Sequence, residues 1–243
     1  MFERARLTRT GMSLALFPDQ HGCTRVRTVG GNAHFKRRDG TYDGEWRVCA
    51  TLLPRRCVVY SFGIGWDWSF DDEMARRCDV YSFDPSMGLE HHRRASGVTF
   101  FPYALGPRDA HIAEPRDRSW RQDKRAPAQW VQRNLSSIMA QFGHTRLSIL
   151  KVDIEGGEWD VLRDVAGRAD QLLVEVHFHN VSRELGLLHE LSQRYALFST
   201  VRNSFAMSDD LRGACFELSY RRRGRSNGMP NRIKFLKTEA AWY

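Results

Sequence analysis

Residues 58–75 read VVYSFGIGWDWSFDDEMA. A β-branched and aromatic run ends in Gly63-Ile64-Gly65, and a helical pattern follows with Ser69 as the expected N-cap, acids in its first turn and Arg76 and Arg77 at its end. That charge order suits a helix dipole. Strand, glycine turn and helix in succession form the unit from which parallel α/β sheets are built. Glycines at such a turn let the backbone bend sharply and bring N–H groups to a ligand, although a plain tight turn has the same composition.

The alternation continues outward from this stretch. Strands are expected at CVVYSF (57–62), DVYSFD (79–84), VTFFPYAL (98–105), LSILKVD (147–153), QLLVEVHF (171–178), YALFSTVRN (195–203) and ACFELSY (214–220). Helices are expected between them: GEWDVLRDVAG puts Trp159, Leu162 and Val165 on one face and stops at Gly167, and SRELGLLHELSQR repeats the pattern with Leu185, Leu188 and Leu191. Residues 1–56 form an N-terminal extension of short strands and turns, 57–220 the α/β domain, and 221–243 a basic tail expected to be poorly ordered. The charged insertion 114–127 reads as a surface loop and a candidate lid over an acceptor site.

Only residues 204–213 separate the last two strands, too few for a parallel crossover, so they should pair antiparallel. The expected fold is therefore α/β, a mostly parallel seven-stranded sheet with a C-terminal antiparallel hairpin, which resembles the class I (Rossmann-like) S-adenosylmethionine methyltransferases.

Asp84 ends the second strand 21 positions after Gly63. That is close to the offset of about 20 residues at which a carboxylate receives both ribose hydroxyls of a nucleotide. Pro85 then breaks the strand. Asp67 falls near the place of the last glycine of a dinucleotide turn and suits a ligand that carries an ammonium in place of a pyrophosphate. It is read as a partner of that ammonium or as a helix cap, and both roles can be filled at once. Gly63 and Gly65 leave room for the methionyl chain, and Ala104 and Leu105 are candidates to border adenine.

The most specific string is LKVDIEGGEWDVL (150–162), in which an apolar strand ends at Asp153, Glu155 follows, two glycines turn the chain and Glu158 opens a helix. In a doubly wound sheet this strand's carboxyl end borders the crevice. This string, with VYSFGIGWDWSFDDEMA, VYSFDPS and LSSIMAQFGH, resembles the FkbM-type methyltransferases over about residues 44–220, and within them an animal methyltransferase-like group. The resemblance implies a fold that uses S-adenosylmethionine, with Gly63, Gly65 and Asp84 at cofactor-binding positions and residues 153–158 as the family signature. Ser61 stands where many class I methyltransferases carry an acid, and Asp67 is expected to substitute for it.

VEVHFHN ends the fifth strand, where alternation places Glu175, His177 and His179 on one face. Three readings stay open for Asp153, Glu155, His177 and His179. They are catalytic residues with an imidazole as general base, ligands of a divalent metal that acidifies the acceptor, or side chains satisfied by backbone contacts. The reading adopted assigns no metal. The implied reaction is in-line methyl transfer to a hydroxyl of a small molecule or glycan. The alternatives are an NAD(P)-dependent oxidoreductase, which DIEGGEW and the antiparallel ending oppose, and a non-catalytic RNA-binding or scaffold protein.

The chain of 243 residues has a formal charge of +8 carried mainly by arginine, with 42% hydrophobic and 27% charged residues. HHRR (91–94) and RRRGR (221–225) lack interleaved aromatics and read as solvated charge runs, not as a nucleic-acid interface. No apolar run approaches the ~20 residues of a membrane span. MSLALF near the start is shorter than a signal-peptide core, so the expected location is cytoplasmic. The five cysteines show no CxxC pair, and reduced thiols are the simpler expectation, with a Cys23–Cys49 bridge the alternative for an exported chain.

Overall fold

The computed structural model describes residues 12–14, 23–31, 44–113, 128–203, 214–224 and 235–237. In chain order the strands are β1 (Met12–Leu14), β2 (Val26–Gly30), β3 (Glu45–Cys49), β4 (Val58–Phe62), β5 (Asp79–Phe83), β6 (His92–Arg93), β7 (Thr99–Phe101), β8 (Tyr103–Leu105), β9 (Ala110–Ala113), β10 (Gln129–Arg133), β11 (Leu147–Val152), β12 (Ala169–His177), β13 (Tyr195–Arg202), β14 (Cys215–Arg222) and β15 (Phe235–Lys237). The α-helices are α1 (Ser69–Ala75), α2 (Leu135–Gln141), α3 (Glu158–Val165) and α4 (Val181–Ser192).

The main sheet has the order β13-β14-β12-β11-β4-β5-β7-β6. Its centre, from β12 through β11, β4 and β5 to β7, is parallel, whereas β14 runs antiparallel to both β12 and β13. These are the seven expected strands and the expected terminal hairpin, with the two-residue β6 added at the edge. All six residues of β11 are buried, as a central strand covered on both faces requires. One face packs against α2, α3 and α4 through Leu150, Val152, Val174, Ile138, Trp159 and Leu188. The other is covered by α1 and the β2–β3 hairpin through Val59, Ile149, Leu173, Phe70, Met74, Trp46 and Val48.

The expected single strand over 98–105 is broken in two. Pro102 has no N–H to donate to the ladder, so β7 stays in the main sheet while β8 pairs with β10 in a smaller sheet that also holds β9. β9 and β10 flank the insertion 114–127, which lies outside the described residues. So do most of the tail and 204–213, although β15 pairs with β1.

Residues 23–31 and 44–49 pack onto the domain. Gln171 of β12 reads the backbone of Cys49 twice, accepting from its N–H at 2.7 Å and donating to its carbonyl at 3.0 Å. Ser69 opens α1 without capping it, and its hydroxyl instead accepts from Gly31 N–H at 2.9 Å. The expectation of reduced thiols does not hold. Cys23–Cys49 and Cys57–Cys78 are disulfides and only Cys215 is free. The second pairing follows from strand register: Val58 and Asp79 are partners in β4 and β5, so the cysteines just before them lie side by side. Among the described residues no helix is long and apolar enough to cross a membrane.

Candidate functional site

Because β4, β5, β11 and β12 are parallel, their carboxyl ends share one edge of the sheet, and the antiparallel β14 begins at that same edge. A buried carboxylate receives loop N–H groups at three places along it. Asp84 accepts from Ile64 and Gly65 N–H at 2.8 and 2.9 Å, and from Ser86 N–H and hydroxyl at 2.8 and 2.6 Å. Glu158, in the first turn of α3, accepts from Ile154 and Gly156 N–H, both at 2.9 Å. Glu184 of α4 accepts from His179 N–H at 3.0 Å and Asn180 N–H at 2.8 Å. Each acid satisfies backbone donors of a loop at the carboxyl end of a strand.

Gly63 is required by position. Its φ is +79°, and a Cβ there would fall 1.5 Å from the Asp153 carbonyl oxygen, so the tips of β4 and β11 touch backbone to backbone. Lys151, buried in β11, donates to the Gly63 carbonyl at 2.6 Å, lies 3.6 Å from Asp153 Oδ2 and sits 5.0 Å from the centre of the Trp46 ring. Two non-glycine residues at this edge hold left-handed backbone, Trp66 at φ 72° and Glu155 at φ 56°. Such conformations cost ~1–3 kcal/mol and gather at functional sites.

The second group of residues surrounds His177. Its Nε2 is 3.4 Å from Glu175 Oε1 and 3.6 Å from Glu155 Oε2, and its Nδ1 is 4.0 Å from Glu158 Oε1. Trp159 Nε1 donates to the His177 carbonyl at 2.7 Å and fixes the strand end. Burial lowers the imidazole pKa against the opposing pull of Asp153, favouring the neutral form. Burial also pushes Glu158 up to about 8, and the Glu175 carboxyl is held well above its ordinary range by burial, then Asp153 and Glu217. In the β12–β14 ladder Glu175 stands opposite Glu217, and His177 opposite Cys215.

The structure thus brings Asp153, Glu155 and His177 together and sets them against the glycine turn. His179 lies beyond the end of β12 and is exposed, yet it is near enough to His177 to lower the imidazole pKa further. Asp67 Oδ1 accepts from Ser69 N–H at 2.9 Å, the geometry of the capping alternative. Ser61 is fully buried in β4, one residue before the strand ends, beside Asp71. Pro85 starts a single 3-10 turn, Pro85–Met87, capped by Asp84. Ala104 and Leu105 are buried in β8, Leu105 within the main core. Lys151, Glu184, Glu217 and Cys215 were not singled out from sequence. Lys151 had a readable signal, a lone charge inside an apolar strand. The others depend on strand pairing.

Residues 40–206 match the family model described as the methyltransferase FkbM domain. The chain is 30% identical over 144 residues to probable methyltransferase-like protein 24 of Homo sapiens, covering 56% of this chain and 37% of that protein. It is also 30% identical over 168 residues to the Rattus norvegicus protein of the same name, covering 66% and 44%. The matches therefore span less than half the length of these curated relatives. Among solved structures, a Streptococcus mutans protein described as a methyltransferase in complex with SAH is similar with a TM-score of 0.40 at 9% identity, covering 71% of this chain and 90% of that one. The fibrillarin pre-rRNA processing protein of Methanococcus jannaschii is similar with a TM-score of 0.38 at 8% identity, covering 70% and 68%.

Proposed function

The chain belongs to the FkbM methyltransferase family, and from that premise we propose that it moves the sulfonium methyl of S-adenosylmethionine onto a hydroxyl of a small-molecule or glycan acceptor. The observation that carries this reading is the contact of Gly63 with the Asp153 carbonyl, which joins a cofactor-type glycine turn directly to the carboxylate and imidazole groups around His177.

In this reading the 63–67 turn holds the methionyl part. Asp84 carries the ribose, its Oδ1 exchanging the Ser86 hydroxyl for a sugar hydroxyl. The acceptor lies over the ends of β11 and β12. The acceptor oxygen attacks the methyl carbon as the carbon–sulfur bond breaks, S-adenosylhomocysteine leaves, and the hydroxyl proton passes to the group formed by Asp153, Glu155 and His177. Most of the acceleration comes from alignment and exclusion of water, since displacement at a methyl carbon depends chiefly on orientation. Proton removal adds a smaller factor.

The test is S-adenosylmethionine calorimetry together with S-adenosylhomocysteine release in the presence of sugars, phenols, small RNAs and peptides. Binding with turnover on a hydroxyl compound supports the proposal, and absence of S-adenosylmethionine binding overturns it.

A further inference from the structure

Glu175, His177 and Cys215 each offer one ligand atom, and those atoms lie within 4.8 Å of one another. No short sequence motif announces this set. Two of its members are on β12 and the third is on β14, joined only by the antiparallel register that puts His177 opposite Cys215.

From this geometry we propose that Glu175, His177 and Cys215 bind a divalent ion of the zinc class at the open edge of the sheet. The donor types decide the ion. A thiolate with an imidazole and one carboxylate is a borderline-soft set that selects zinc or cobalt over magnesium or calcium, which take oxygen ligands. Three protein ligands leave a fourth position open, the pattern of catalytic and not structural zinc.

The surroundings fit a cation. Glu175 and Glu217, both buried, stand directly opposite each other in the ladder. Glu155 Oε2 lies 3.6 Å from His177 Nε2. On the far side of the ring, the buried Nδ1 has no hydrogen-bond partner and faces Glu158 Oε1 at 4.0 Å. A carboxyl behind the ligating imidazole is the usual outer support of a metal-bound histidine. Binding releases the Cys215 thiol proton and the proton held by the Glu175 carboxyl to solvent as the thiolate–metal and carboxylate–metal bonds form, with no change of oxidation state.

The inference rests on the methyl-transfer reading only for what the ion does. An acceptor hydroxyl in the open position is acidified by the ion, His177 then serves as a ligand, and the proton passes to Glu155 or Asp153.

The cysteine inventory makes the site directly observable. Of the five cysteines, four are in disulfides, so a thiolate-to-metal signal reports Cys215 alone. The experiment is a cobalt(II) titration of the full chain after chelator treatment, disulfides intact, followed by absorption. One equivalent per chain is expected, with visible d–d bands and a near-ultraviolet thiolate-to-cobalt band. Cys215→Ser should abolish the latter, while Glu175→Gln should retain it with cobalt affinity at least about tenfold weaker. Zinc should displace the cobalt and magnesium should not. Absence of the thiolate band in the unmodified chain, or its persistence in Cys215→Ser, overturns the site. If Cys215→Ser does not fold, unchanged affinity in Glu175→Gln overturns it equally. S-adenosylmethionine calorimetry on the same sample separates the two proposals. Cofactor binding without cobalt binding removes only the metal site, and cobalt binding without cofactor binding removes only the methyl-transfer reading.

Discussion

Lys151 Nζ, on β11, donates to the carbonyl of Gly63 at 2.6 Å, so a buried lysine on one strand sets the turn at the tip of its neighbour. The same ammonium stands 3.6 Å from Asp153 Oδ2. Lys151→Met keeps the apolar stem and removes the donor. It should lower stability by about 1–3 kcal/mol and weaken S-adenosylmethionine binding as the turn loses its tether. Urea unfolding and calorimetry on the same preparation check both effects. Unchanged values in both would remove the positioning role.

The two glycines of the turn should differ. Both have positive φ, +79° at Gly63 and +54° at Gly65, but a Cβ at Gly63 collides with the Asp153 carbonyl while one at Gly65 meets nothing within 4 Å. Gly65→Ala therefore pays mainly the left-handed backbone cost, ~1–2 kcal/mol. Gly63→Ala should cost more and shift the β11 loop. Comparable unfolding midpoints for the two variants would contradict the close approach.

Glu158 gives a pH signature. Its pKa is raised from an ordinary 4.5 to about 8 in the fold, so the native state binds more protons than the unfolded chain between those values. The contribution of this group to stability is complete below pH about 4.5 and is lost as pH rises towards 8. Glu158→Gln should flatten that part of the stability profile. Chemical denaturation across the range measures it, and an unaltered slope would show that the carboxyl is ionised throughout.

His177 and His179 separate by position. His177→Ala should reduce S-adenosylhomocysteine release by ~10²-fold or more while cofactor affinity stays close to that of the parent chain. His179→Ala, beyond the strand end, should leave turnover nearly unchanged. Equal losses in both variants would mean that the β12 tip is arranged differently during turnover.

The Cys57–Cys78 bridge ties the starts of β4 and β5. Replacing both cysteines with alanine should lower stability by about 2–4 kcal/mol, read from thermal unfolding with and without reductant. The buried Cys215 thiol should react with a thiol reagent only on unfolding. An unfolding temperature insensitive to reductant would show that the bridge does not form in solution.

The places of Asp84 and Asp153 just past the ends of β5 and β11 were legible in the sequence, because both are consequences of local spacing. Asp67 was legible as a polar residue before a helix, and its contact with Ser69 N–H at 2.9 Å is the helix-start part of a reading in which both roles can be filled together. For His179, alternation assigns a face only while the strand continues, and β12 ends at His177. The break at Pro102 was available in principle, since a residue without an N–H is poorly suited to a continuous ladder.

The order of apolar runs, glycines and helix patterns determined the class of fold, the antiparallel ending and the edge of the sheet on which the candidate residues lie, since period and connection length are local properties of a chain. Which side chains meet at that edge was decided by tertiary structure alone. Cys215 faces His177 across a ladder, Lys151 reaches the Gly63 carbonyl on the adjacent strand, and Cys57 finds Cys78 through parallel register. Those contacts join residues distant in sequence, and register is set by the packing of whole strands, so no short spacing encodes them.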